Sequence, residues 1–313
     1  MFALSLCALL CAAAPAPTLR LTASVEGRPA TAAWAYARAG EKVVLHAALT
    51  PDVPGARVDW LQLEPFRNAV DNTTPTFHHE PIGYQAVEIS RCRSTRSCQA
   101  SPETERFTAL KRAPGTGVLA FQARATLPDG RVVETPGPET ATPFGLPREA
   151  IRVVFRRDDT YLGYLTELFN TPYIFGSSNE GKRHQTDDLV GADCADLTVY
   201  GARRMGLQVG YTSTYDMEKV APLVAVMKSA AEPLPIGEGT KQVRPGDLLY
   251  FPGSRHIGAL YEDREPLGVL DENDLMLHTC WMPATLQRLG DAPPNCFSYP
   301  IKVLRFARPP ARR

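Results

Sequence analysis

Cys194 stands in the segment Gly-Ala-Asp-Cys-Ala-Asp-Leu, and two histidines follow it along the chain, His256 and His278. A thiol acts as a nucleophile when a base lies within hydrogen-bond reach, and imidazole is the side chain whose ordinary pKa suits that role near neutrality. Asp193 can cap a helix that begins at Cys194, which puts the thiol in the first helical turn. There the positive helix end and the unpaired amides favour a thiolate, and the same amides can donate to the oxyanion formed on an attacked carbonyl. His256 opens the run His-Ile-Gly-Ala-Leu-Tyr after the turn Val-Arg-Pro-Gly-Asp-Leu-Leu-Tyr-Phe, and His278 lies in the next run, Asp-Leu-Met-Leu-His-Thr-Cys. If these runs are antiparallel neighbours, both rings face the Cys194 helix. His256 is then the general base, and His278 orients it and sets its tautomer. Taken singly, each histidine reads as an ordinary core or surface residue; the ordered set of three points to chemistry.

Counting cysteines isolates the same thiol. Of seven, Cys7 and Cys11 fall in an apolar N-terminal stretch that carries no charge before Arg20. This stretch reads as a cleaved signal peptide over residues 1–17, too short to span a bilayer, and a leucine before each cysteine argues against lipid attachment. The expectation is an exported chain, periplasmic or extracellular, with no transmembrane segment. In an oxidising compartment the close pairs Cys92/Cys98 and Cys280/Cys296 read as short-loop disulfides. Cys194 is left over. An inert buried thiol is the plain alternative to a nucleophile.

These residues need elements to position them. Residues 18–145 show short apolar runs between turn signals, at 19–25, 42–49, 57–63, 117–125 and 131–134, with the hairpin signal Pro128-Asp129-Gly130 between the last two. An all-β, immunoglobulin-like sandwich is expected, although no cysteine pair brackets Trp60 as a true immunoglobulin domain requires. The Pro- and Gly-rich stretch before Pro147 marks a boundary, with residues 146–157 as a linker. Helical spacing then appears over 161–169, 194–205 and 216–230, followed by strand-like runs at 247–251, 257–261, 274–279 and 301–306. Helices followed by a meander of strands predict an α+β domain over 158–313.

The segments Thr171-Pro-Tyr-Ile-Phe-Gly-Ser, Ala192-Asp-Cys-Ala-Asp-Leu, Arg244-Pro-Gly-Asp-Leu-Leu-Tyr-Phe, His256-Ile-Gly-Ala-Leu-Tyr and Leu277-His-Thr resemble the successive motifs of the NlpC/P60 cysteine peptidases. The resemblance covers roughly residues 158–307, about half of the chain. It implies an α+β papain-like fold and cleavage of peptidoglycan stem peptides, with Cys194 as nucleophile, His256 as base, His278 as the third residue and Tyr173 beside the nucleophile. Asp193, Asp196 and Gly176 are the candidate substrate-binding residues. Where the family has Ser-Gly after the cysteine, this chain has Ala195-Asp196. That places a carboxylate near the nucleophile, facing either the substrate or the solvated side of the helix. Gly176-Ser177 replaces the family's Gly-Gly, and the loops 176–190 and 207–243 are long.

Composition narrows the remaining choices. Lys plus Arg equals Asp plus Glu at 34 each in 313 residues, so no net field calls for nucleic acid, and the basic tail from Arg305 reads as a frayed terminus. His78-His79-Glu80 has no further histidine at helical spacing and reads as loop rather than metal site. Gly237-Glu-Gly-Thr-Lys241 lacks the first glycine of a phosphate loop, and Asn72-Thr-Thr is only a formal glycosylation acceptor. No metal and no cofactor is expected. The expected function is a secreted cysteine hydrolase, a peptidoglycan endopeptidase working through a thioester acyl-enzyme on stem peptides or another peptide substrate. Two alternatives use the same residues: an acyltransferase of transglutaminase type, and a catalytically degenerate protein that binds cell wall or protein. Oligomeric state is not legible.

Overall fold

The computed structural model describes residues 15–32, 34–72, 82–101, 113–180 and 182–307. The expected signal, Cys7, Cys11, His78, His79 and Glu80 lie outside these residues, apart from the end of the signal at 15–17. The first half is built from β1 (Thr18–Val25), β2 (Ala35–Arg38), β3 (Val43–Thr50), β4 (Arg57–Pro65), β5 (Ala69–Asp71), β6 (Tyr84–Glu88), β7 (Ser97–Ala100), β8 (Gly117–Thr126), β9 (Val132–Glu134) and β10 (Ile151–Arg156). Strand β3 shows the physical rule: Val43, Leu45, Ala47 and Leu49 are buried while the residues between them face outward, the two-residue period of a one-sided sheet. It forms the centre of the small sheet β1-β3-β7; a larger sheet runs β2-β10-β8-β4-β6, with β9 on the edge of β8. Their shared core holds Trp60, fully buried, whose indole N–H donates to the Thr95 carbonyl at 2.9 Å.

The second half contains α1 (Tyr161–Leu165), β11 (Tyr173–Phe175), β12 (Asn179–Glu180), β13 (Arg183–His184), α2 (Cys194–Arg204), α3 (Met217–Val220), β14 (Leu223–Met227), β15 (Leu234–Pro235), β16 (Leu248–Phe251), β17 (His256–Glu262), β18 (Val269–Leu270), β19 (Leu275–His278), β20 (Thr285–Arg288) and β21 (Ile301–Leu304). Six of these strands form one antiparallel sheet in the order β14-β21-β16-β17-β19-β20. Leu248, Ile257, Ala259, Leu277 and Leu304 join the core that holds α2, whereas Leu249, Phe251, Leu260, Met276 and Val303 form a second core.

The α+β papain-like fold expected for this half is overturned. The chain is mostly β, 39% strand against 13% helix, in several sheets. The third helix expected over 216–230 stops after one turn, because Pro222 excludes the helical conformation at Ala221, and the chain then extends as β14. The helix expected over 161–169 shrinks to α1 and one 3₁₀ turn. The first half is all-β as expected, two sheets over one core, but it does not close at residue 145. The supposed linker at 146–157 supplies β10, which pairs with β2 and β8 inside the larger sheet, and β5 pairs in parallel with β11 of the second half.

The two halves therefore share a core. Val118 and Val154 pack with Leu162, Leu165, Leu168, Phe169 and α2, and the Val118 N–H donates to the Phe169 carbonyl at 2.9 Å. The Glu167 carboxylate is fully buried. It receives the Tyr200 hydroxyl at 2.5 Å and the Arg204 guanidinium at 2.8 and 2.9 Å, so its charge is satisfied where α2 ends. Asn72 is buried, with its amide donating to Gln185, and presents no surface for a glycan. Cys92 and Cys98 are bonded, as are Cys280 and Cys296, and among the described residues Cys194 is the free thiol. No helix among the described residues is long and apolar enough to cross a membrane.

Phe169 has no exposed surface and sits at the junction of the halves. Phe169→Ala is expected to lower stability by about 3–5 kcal/mol in urea unfolding. Because the core is shared, probes in the first half and in the second should report one common transition.

Candidate active site

Helix α2 starts at Cys194 because Asp193 caps it. The Asp193 backbone is extended, and its carboxylate accepts the Asp196 N–H at 2.9 Å together with the amides of Ala195 and Gly176. Gly176 has φ +72, a left-handed turn that a side chain would resist, and this turn aims its amide at the cap. Strand β11 runs alongside: Tyr173 bridges Ala192, and the Ile174 N–H donates to the Ala192 carbonyl at 3.1 Å. Tyr173 thus stands beside the start of α2, 4% exposed, with its hydroxyl pushed up by burial and by the Cys194 thiol.

The thiol itself meets β17. The N–H of Ile257 donates to the Cys194 sulfur, so the sulfur lies at the peptide that leaves His256. Both residues line one cavity of about 400 Å³, together with Tyr173 and Asp193. The rings, however, do not face α2 as expected from sequence. Ile257 and Leu277 point into the α2 core, so alternation sends His256 and His278 to the other face, where the His256 ring stacks 6.0 Å from Phe251. The thiol approaches the histidine at its main chain, round the end of the strand.

The protons on these rings follow from their partners. The Gln287 amide N–H donates to the Asp291 carbonyl at 2.7 Å, which leaves its oxygen to accept from His278 Nε2 at 2.9 Å. His278 Nε2 therefore carries hydrogen, and in the neutral ring Nδ1 is bare. His278 Nδ1 lies 2.9 Å from His256 Nε2, which must donate to it. His256 in turn is left with a bare Nδ1. This polarity is what a general base needs. Gly258 keeps the rings together: a Cβ there would lie 2.9 Å from the Cβ of His278 and 2.6 Å from the Met276 sulfur.

Electrostatics correct a second expectation. A helix N-terminus stabilises a thiolate by about 0.3–1 kcal/mol, up to roughly 2, whereas full burial moves a pKa by up to several units. Burial wins here, reinforced by Asp193, and the Cys194 thiol is pushed up despite the amides of Ile257 and Ala195. Burial and the facing His278 push His256 well down, and burial takes His278 down to about 4. The resting pair is thiol and neutral imidazole.

Asp196 does not line the cavity. It is 5% exposed, against Ser177 and 3.7 Å from His184 Nε2. Burial and Asp193 push its carboxyl well up. Gly176 acts through Asp193 rather than on substrate, and the Cys280–Cys296 disulfide brings Cys280 to the cavity wall. Sequence reasoning missed Gln287, Arg255, Phe175, Tyr215 and Trp281. Gln287 becomes visible only through register, since β20 sets it opposite Met276 and therefore diagonal to His278. The aromatic residues carried no spacing signal at all. Among the described residues no cluster of His, Cys, Asp or Glu could hold a metal. No family model matches the chain, and neither a curated protein nor a solved structure is similar to it.

A folded histidine pKa near 4 against about 6.5 unfolded means that the unfolded chain binds the extra proton between those values. Stability is therefore full above about pH 6.5 and falls as pH drops toward 4, by about 3 kcal/mol for His278 alone. Urea unfolding at neutral and acid pH should show this loss in the parent protein and a smaller one in His278→Gln.

Proposed function

We propose that the chain is a cysteine hydrolase that opens amide bonds with Cys194 as nucleophile and His256 as base. The observation that carries this reading is the one-way hydrogen-bond chain from Asp291 through Gln287 and His278, which leaves Nδ1 bare on His256, a residue that lines one cavity with Cys194. In the reaction the Cys194 proton passes to His256 Nδ1 and the sulfur attacks the carbonyl carbon. The C–N bond then breaks as the imidazolium returns the proton to the leaving nitrogen, and water, giving a proton to His256, cleaves the thioester. Of the amides that open α2, that of Asp196 is taken by Asp193 and that of Ala195 is shared between Asp193 and the Cys194 sulfur, so the Cys194 N–H is the donor left for the oxyanion. His278 holds the ring of His256 in the required tautomer.

The motif resemblance to NlpC/P60 peptidases supports peptidoglycan stem peptides as substrate, and the disulfides support export to the periplasm or beyond. The test is a digest of purified peptidoglycan from several wall chemistries followed by mass spectrometry. New stem-peptide fragments are expected with the parent protein and none with Cys194→Ala; identical fragment patterns from the two would sink the substrate assignment.

A second reading, a binding protein with an unreactive thiol, draws on the upward push that burial gives Cys194. The two separate on a pH–rate profile of Cys194 alkylation. With the thiol raised and His256 lowered, the rate should climb steadily through pH 9 with no plateau near neutrality. At every pH it should also exceed that of His256→Ala, because the base assists only the enzyme. Equal profiles for the parent and that variant would favour the binding protein.

A further inference from the structure

Exposed large apolar side chains are scattered on most proteins, and a cluster of them at one cavity has a purpose. Around the Cys194 cavity stand Phe175, Tyr215 and Trp281, with exposures of 40%, 62% and 48%. Trp281 lies 5.1 Å from the Tyr173 ring and 5.3 Å from the Phe175 ring, spacings at which aromatic rings attract one another. Its backbone has φ +54, a left-handed conformation costly for a tryptophan, and the disulfide at Cys280 anchors it from the preceding residue. The chain thus holds a large apolar ring in water, in a strained backbone, at the mouth of the site.

The same cavity also carries a positive charge. Arg255, also at φ +54, places its guanidinium 5.1 Å over the Tyr215 ring. Among the described residues no carboxylate pairs with Arg255. Asp193, the acidic residue of the cavity, has its carboxylate taken by three amides and does not neutralise it. An apolar occupant alone would leave the cation unmatched, and an anionic one alone would leave the rings in water.

Taking Cys194 as the nucleophile proposed above, but not the stem-peptide substrate, which carries no aromatic ring, we infer that the cleft selects acyl groups that carry both an aromatic side chain and a carboxylate. The ring lies against Trp281 and Phe175, and the carboxylate pairs with Arg255. A cavity of about 400 Å³ is of the size that encloses such a group.

Three alkylating reagents of one chemistry test this: iodoacetamide, N-benzyl iodoacetamide and iodoacetate. The rate at Cys194 is followed by mass spectrometry on the full chain, and each rate is divided by that of N-acetylcysteine with the same reagent. The benzyl reagent is expected to gain about fivefold over iodoacetamide through ring contact. Iodoacetate should gain about threefold through an exposed ion pair. Trp281→Ala and, separately, Phe175→Ala should remove the first gain and spare the second, while Arg255→Gln does the reverse. Because each readout is a ratio within one variant, a general loss of reactivity does not imitate it. Equal normalised rates for all three reagents overturn the inference and leave the nucleophile standing. A Cys194 that reacts with none of them, while N-acetylcysteine does, overturns the nucleophile and the inference together.

Discussion

The site depends on one contact, the N–H of Ile257 donating to the Cys194 sulfur where α2 meets the first peptide of β17. That contact exists only if α2 lies flat against the sheet. The packing that keeps it there comes from both halves of the chain, since Val118 and Val154 complete the core beneath α1 and α2. Parallel pairing of β11 with β5 extends the same dependence to Tyr173, and the buried Glu167 secures the far end of α2 through Tyr200 and Arg204. The first half is thus structural support for the site.

Burial shapes the chemistry more than the helix dipole does. A dry environment raises the thiol and lowers both imidazoles, so no preformed ion pair of thiolate and imidazolium waits for substrate. What the structure supplies instead is direction. Each proton in the chain from His256 to Asp291 has one place to be, and the lone pair at His256 Nδ1 is the consequence.

In the first turn of α2 after Cys194, a second buried group repeats the theme. His184 accepts the Thr186 N–H on Nδ1 at 3.3 Å, so its Nε2 carries the hydrogen that faces Asp196. Its ring stacks 3.8 Å from Tyr211, whose hydroxyl donates to Asp187 at 2.7 Å. Asp196, the residue that departs from the resembled motif, is absorbed into this cluster and kept out of the cavity. The departure is a packing feature of the loop at 176–190.

Local signals were legible in the sequence wherever a few neighbouring residues determine the outcome. Asp193 before an apolar helical run marked the cap, the odd cysteine count isolated Cys194, the close spacings paired Cys92 with Cys98 and Cys280 with Cys296, and short apolar runs between turn signals located β1, β3 and β8. Fold class was not legible, because helical spacing over 216–230 lost to Pro222 and to pairing with β21, a partner far along the chain. Nor could the sequence show that the supposed linker is a central strand, since the Pro- and Gly-rich signal lies beside β10 rather than in it. The face on which His256 and His278 point, the role of Gln287 and the gathering of Phe175, Tyr215, Arg255 and Trp281 were decided by register and by the meeting of distant loops. Those are long-range choices, and no local residue pattern encodes them.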